Sequence, residues 1–234
     1  MAKRKNKNLK IQNKILFAFD TFLSIAKRRD VKISFFITIL SFIPLAIRIL
    51  STNYYSLSFN FLLLVFYFVS FGLLIYLSVD DAFTLTIRSI VAYFGLLFLT
   101  LVNLVVLLIF RQEFILIFEN AYWIPATSLI AGAIMGFLIW IITKITKEKG
   151  MGEGDIYVYA MAGLLLGTDK ILTAFYITVF SALIVGLVIS LNKRRLKGLL
   201  IPFVPFITLG TIVSIIFAPE LMEIQRLIFP FLFI

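Results

Sequence analysis

Seven apolar stretches divide this chain, and they constrain its fold more than any motif does. They run at about 33–50, 56–79, 87–110, 122–143, 156–167, 171–192 and 199–217. About 20 apolar residues wound as a helix cross the roughly 30 Å hydrocarbon core of a bilayer. Inside that solvent every backbone N–H and C=O needs a partner within the protein, which leaves helices or a closed barrel. The stretches are continuous rather than alternating, so the expected fold is all-α: a polytopic membrane helix bundle of about seven transmembrane segments. Composition agrees, since 62% of the 234 residues are hydrophobic and the mean hydropathy is +1.07, beyond the range of soluble domains.

The fifth stretch is the exception in length. Twelve residues of helix rise only about 18 Å. It is retained as a span because the charge pattern requires it, and it is expected to lie buried among other helices, where local thinning covers the mismatch.

The net charge is +10, and its distribution indicates topology rather than nucleic-acid binding. Lys and Arg gather on the side of the membrane that stays cytoplasmic. With the N-terminus placed there, the ten basic residues from Lys3 to Lys32, then Arg88, Lys144, Lys147, Lys149, Lys193, Arg194, Arg195 and Lys197 share one side. Only Arg48, Arg111, Lys170 and Arg226 face outward. Ile11, Ile15, Phe19, Phe22 and Leu23 recur at helical spacing among the N-terminal lysines. Residues 1–32 are therefore expected to form a basic amphipathic arm on the membrane surface, with anionic lipid as its partner and no nucleic acid. Its long basic region and the lack of a small-residue cleavage site argue against a signal peptide. The expected organisation is completed by a membrane-embedded unit over 33–217 and an interfacial tail over 218–234.

The chain has no cysteine and no histidine. Disulfides, thiolate nucleophiles, histidine triads and Cys/His zinc sites are thereby excluded, and no cofactor or metal is expected. Two small-residue stripes, Ala131-Gly132-Ala133 with Gly136, and Ala160, Ala162, Gly163 and Gly167, read as close helix packing. Carboxylates remain as the source of chemistry. Asp20 and Asp30 belong to the arm, while Glu113, Glu119, Asp169, Glu220 and Glu223 fall in outer loops or the tail. Asp80 and Asp81 end the second stretch, and Asp155 opens the fifth after Gly150-Met151-Gly152-Glu153-Gly154. Both groups lie on the cytoplasmic side of the charge-derived topology. Ionisable residues at the edge of a membrane core are expensive and are often functional. Two carboxylates in one low-dielectric site do not both ionise easily, so one keeps its proton. One then activates water while the other polarises and protonates, which is the acid–base pair needed to hydrolyse an amide. Gly152 and Gly154 are expected to shape the turn, through backbone freedom and by letting substrate come close.

Gly150-Met151-Gly152-Glu153-Gly154-Asp155-Ile156, the small-residue helix ending at Gly163-Leu164-Leu165-Leu166-Gly167, and Ile201-Pro202-Phe203-Val204-Pro205-Phe206 together resemble the type IV prepilin peptidase family. That resemblance, over roughly 56–217, implies an intramembrane aspartyl endopeptidase that removes the leader from prepilin-like precursors at the cytoplasmic face of the inner membrane. It implies Asp155 as one catalytic residue. For the other, Asp81 has the register expected of the family, with Ile87 six residues on, and Asp80 is the alternative. Arg88 stands where the family pattern has proline, and Tyr157 where many members have lysine. Larger members carry a Cys-rich domain associated with N-methylation; this chain has no cysteine, which implies cleavage without such a module. Two competing readings are a catalytically inactive pilus-assembly scaffold and an ion- or proton-coupled transporter that uses the same acidic cluster.

Overall fold

The computed structural model describes residues 29–51, 57–109, 125–147, 151–193, 201–217 and 220–221. Of the amphipathic arm expected over 1–32, residues 29–32 begin the first helix and the rest lies outside the described residues, as do nearly all of the tail after 217 and the basic run after Lys193. Six helices account for the described chain, and there is no strand among the described residues. They are α1 Arg29–Ser51, α2 Leu57–Thr84, α3 Ser89–Ile109, α4 Pro125–Thr146, α5 Glu153–Lys193 and α6 Val204–Ile216.

Five of these, all but α6, are long and apolar enough to cross a membrane. The all-helical membrane bundle read from the sequence is therefore what the chain forms. The seven apolar stretches distribute over six helices because the fifth and sixth run together in α5. That element is broken at Gly167, whose φ of 71° and ψ of −179° are open to glycine and almost closed to other residues. The break reverses the chain. The rings of Tyr159 and Phe175, sixteen positions apart, have centroids 6.3 Å from each other, whereas a straight helix would separate them by about 24 Å. A single residue makes this reversal, so no loop is needed, and Lys170, expected in an outward loop, is helical and buried.

The first arm of α5 is the most enclosed segment of the molecule: residues 158–167 are all buried. The small-residue stripes explain how it gets there. A Cβ on Gly163 would lie 2.7 Å from the backbone of Ala131 and Gly132, and one on Gly132 would lie 3.1 Å from the Ala160 carbonyl. With no side chain between them, the backbones of α4 and α5 touch. The returning arm packs on α6 in the same way, where a Cβ on Gly210 would meet Thr178 Oγ1 at 2.5 Å. Asn103, fully buried in α3, donates its amide to the carbonyls of Leu99 (2.8 Å) and Leu164 (3.2 Å). The second of these lies three residues before the Gly167 break, where a helix loses its regular donors.

Helix direction then decides what meets at each end. The C-terminus of α2 and the N-termini of α3, α5 and α6 gather at one end. At the other, the Arg48 guanidinium in the last turn of α1 reaches the Ile216 carbonyl at the end of α6 and forms a bidentate pair with Glu220 at 3.0–3.2 Å.

Candidate active site

The second apolar stretch does not stop at residue 79. Helix α2 continues through Asp80 and Asp81 to Thr84 and ends on Leu85, in the left-handed region at φ 54°, whose N–H bonds the Asp81 carbonyl at 2.8 Å. Both aspartates are therefore held on a rigid turn. Consecutive helix residues point about 100° apart, so they face different surroundings.

Asp81 faces a cavity of about 430 Å³ that it shares with Asp155. Both side chains are nearly enclosed, at 7% and 6% exposure. Asp81 Oδ2 accepts the Val204 N–H at 3.2 Å. That amide opens α6, whose own N-cap residue, Phe203, supplies no side-chain hydrogen bond. The carboxylate of one helix thus caps another. Asp155 is in the first turn of its own helix, and its Oδ2 accepts the Gly152 N–H at 2.9 Å while its N–H donates to the Gly152 carbonyl at 3.1 Å. Both carboxylates consequently sit at helix N-termini, where the helix dipole favours negative charge, and they act electrostatically on one another.

Asp80 is turned away from this cavity. It is 2% exposed and pairs with Arg88 across 3.1 Å. The same guanidinium approaches Asp30 of α1 at 3.9 Å, hydrogen-bonds the Tyr76 hydroxyl and lies over the Tyr76 ring, 5.7 Å from its centroid. Arg88, the departure from the family pattern, is thus engaged in an ionic cluster beside the cavity.

The two glycines work differently from the expectation. Among the described glycines only Gly167 has a positive φ, so neither Gly152 nor Gly154 is required for an unusual backbone. Gly154 is required for space, since a Cβ there would come within 2.8 Å of Ile87 Cβ. Gly152 borders open space, with nothing within 4 Å of where its Cβ would lie; it lines the cavity and leaves room there.

Several lining residues had no place in the site assigned to them from the sequence. Tyr93 of α3 and Tyr157 of α5 join their hydroxyls at 2.8 Å, with ring centroids 4.6 Å apart, along one wall. Ile201, Pro202 and Phe203, which are not helical, also line the cavity. The first proline delays the start of α6, and Pro205, in its first turn, needs no N–H partner there. The proline spacing of this segment was visible; its position against Asp81 was not.

The family model described as the type IV leader peptidase family matches residues 68–191, just over half of the chain. The chain belongs to that family. The matched range holds Asp80, Asp81, Tyr93, the glycine turn, Asp155 and Tyr157, and stops before Ile201. Prepilin leader peptidase/N-methyltransferase of Bacillus subtilis is 29% identical over 92 residues, 39% of this chain and 37% of the relative. The protein of the same name from Pseudomonas putida is 27% identical over 105 residues, 42% of this chain and 36% of the relative. That from Neisseria gonorrhoeae is 29% identical over 93 residues, 38% of this chain and 31% of the relative. The chain spans about a third of the length of the curated relatives it matches. No solved structure matches it. Family membership and five helices of spanning length and composition make this type IV leader peptidase family member an integral membrane protein.

Proposed function

We propose that this protein is an aspartic endopeptidase that cleaves the leader from prepilin-like precursors at the cytoplasmic face of the membrane, with Asp81 and Asp155 as its acid–base pair. One observation carries the proposal: two enclosed carboxylates, seventy-four positions apart in sequence, line one cavity at the ends of their helices. Family membership and the prepilin leader peptidase names of the relatives support the substrate class. The Lys/Arg bias supports the side of the membrane.

In this reaction the ionised carboxylate takes a proton from water as the water oxygen adds to the scissile carbonyl carbon. The protonated carboxyl hydrogen-bonds the carbonyl oxygen, then gives its proton to the leaving nitrogen as the C–N bond breaks. One water is consumed, and the products are a carboxylate and an amine. Neither aspartate is assigned to one role, because a coupled pair titrates as a unit. The ion pair of Asp80 with Arg88 leaves it to Asp81 to face the substrate.

The test is cleavage of a co-expressed precursor by single variants. Asp81→Asn and Asp155→Asn are each expected to lower cleavage by at least about a hundredfold, the scale of a lost general acid or base. Asp80→Asn is expected to keep most of it. Full activity in either of the first two, or loss confined to Asp80→Asn, defeats the assignment. Precursor that binds but stays uncut by the parent chain favours a scaffold. Proton or cation flux through liposomes that disappears in Asp155→Asn favours a transporter.

A further inference from the structure

Three carboxylates, those of Asp80, Asp81 and Asp155, are nearly enclosed at one end of the bundle. The cation beside them is Arg88, and it meets Asp80 at 3.1 Å. The arrangement has a geometric consequence. Asp80 and Asp81 are adjacent on one turn, so whichever is drawn toward a fixed partner sets where the other points. Arg88 is such a partner, because it stands one residue before α3 and is held from three directions. Asp30 lies 3.9 Å away on α1, the Tyr76 hydroxyl accepts one of its nitrogens, and the Tyr76 ring lies beneath it. It thus ties the start of α1, the last turns of α2 and the start of α3 together. The Arg88 carbonyl also accepts the N–H groups of Val91 and Ala92 at 3.0 and 3.1 Å, so the residue is fixed at its backbone as well.

We propose that Arg88 is a positioning residue for Asp81: by pairing with Asp80 against α1 and α3 it keeps that charge from pulling the last turn of α2 toward the cavity, so that the Asp81 carboxylate faces Asp155 there. This rests on the peptidase reading above. The role is electrostatic. A buried carboxylate that loses a charged partner is destabilised, and Asp80 without Arg88 would be drawn toward water, with the cavity lined by the adjacent Asp81 beside it. Planar, multidentate engagement of two acids and a ring suits guanidinium rather than ammonium. A proline at this position, as in the family pattern, supplies no charge, so Asp80 and Arg88 act here as a unit.

The experiment uses the full chain in nanodiscs with a prepilin-like precursor, and a second readout that does not involve cleavage. Displacing a catalytic group by about an ångström costs up to about a hundredfold in rate, so Arg88→Gln is expected to lower kcat by at least about tenfold with KM within about twofold. Arg88→Lys, which keeps charge and loses the fork, falls between. The double variant Asp80→Asn with Arg88→Gln removes the stranded charge and is expected to return kcat to within about threefold of the parent, the compensation a double-mutant cycle detects. The second readout exploits the absence of cysteine. A single Asp81→Cys is labelled with a small, water-soluble thiol reagent, and its rate is expected to change when Arg88→Gln is added and to revert when Asp80→Asn is added as well. Unchanged labelling with unchanged kcat in Arg88→Gln overturns the positioning role and leaves the peptidase reading standing. A double variant no better than Arg88→Gln alone overturns it too. If the parent cuts no precursor, the peptidase reading fails by itself, and the labelling series still decides whether Arg88 sets the placement of position 81.

Discussion

Gly152 and Gly154 sit two residues apart in one motif, yet the structure separates their roles. Gly154 lies against Ile87 at the start of α3, and a methyl group there would come within 2.8 Å of Ile87 Cβ. Gly154→Ala is therefore expected to destabilise the fold by about 1–3 kcal/mol, the usual cost of overpacking, seen as a lower melting temperature in detergent. Gly152→Ala meets no atom within 4 Å and is expected to melt with the parent; any loss of cleavage would come from the narrower cavity. Equal melting of the two variants would contradict this division. Of the two reasons the motif suggests, backbone freedom is not needed at either position, since neither glycine has a positive φ. The sequence contains no sign that residue 87 would be the neighbour of residue 154. The register of Ile87 favours Asp81 over Asp80, but adjacent acids differ in which way a helix turns them, and the sequence does not show that direction.

At the scale of elements, α5 departs most from the reading of the chain as separate spans. Its apolar content was plain from sequence, as was the shortness of its first arm. That one glycine would reverse it was not, because Gly167 is followed by Thr168, Asp169 and Lys170, which read as a polar loop. The left-handed φ of 71° makes Gly167→Ala expected to cost about 1–3 kcal/mol, with the contact to Thr127 Oγ1 at 2.9 Å adding to it. Gly163→Ala, whose Cβ would press on the α4 backbone at 2.7 Å, is expected to be at least as harmful, since backbone yields less than a side chain. Thermal melting of the purified variants in one detergent checks both; a Gly167→Ala protein as stable as the parent would mean the reversal does not depend on this residue. The small-residue stripes read as packing surfaces from sequence alone, and in the fold each stripe is the other's partner.

Across the whole molecule, the two ends of the bundle are closed by different means. The end with the aspartates is held by the Asp80–Arg88 cluster and by α6 resting its first amide on Asp81. The opposite end is held by Arg48, which joins α1 to the last carbonyl of α6 and to Glu220. Hydrogen bonds from Arg48 keep the Glu220 carboxyl below the usual glutamate range. A carboxyl whose pKa is lowered by folding adds stability above its unfolded pKa and loses that contribution as pH falls through the folded value. The parent is therefore expected to lose slightly more stability than Glu220→Gln on acidification from neutral pH through the carboxylate range. The difference is expected to be small and to shrink in salt, because the pair is exposed. Identical pH–melting curves for the two proteins at low salt would show that the latch contributes nothing.

Hydropathy alone makes this chain a helical membrane bundle, and the scarcity of its acids singles out Asp80, Asp81 and Asp155. Hydropathy and the cost of unpaired backbone in hydrocarbon act locally along the chain, so they are readable from one dimension. Which aspartate shares a cavity with Asp155, that Arg88 pairs with the other, and that Val204 donates its amide to Asp81 are set by the packed fold. Those outcomes depend on helix rotation and on which helix ends meet. Both follow from packing between residues far apart in sequence, such as Gly132 against Ala160 and Gly154 against Ile87, and no stretch of neighbouring residues encodes them.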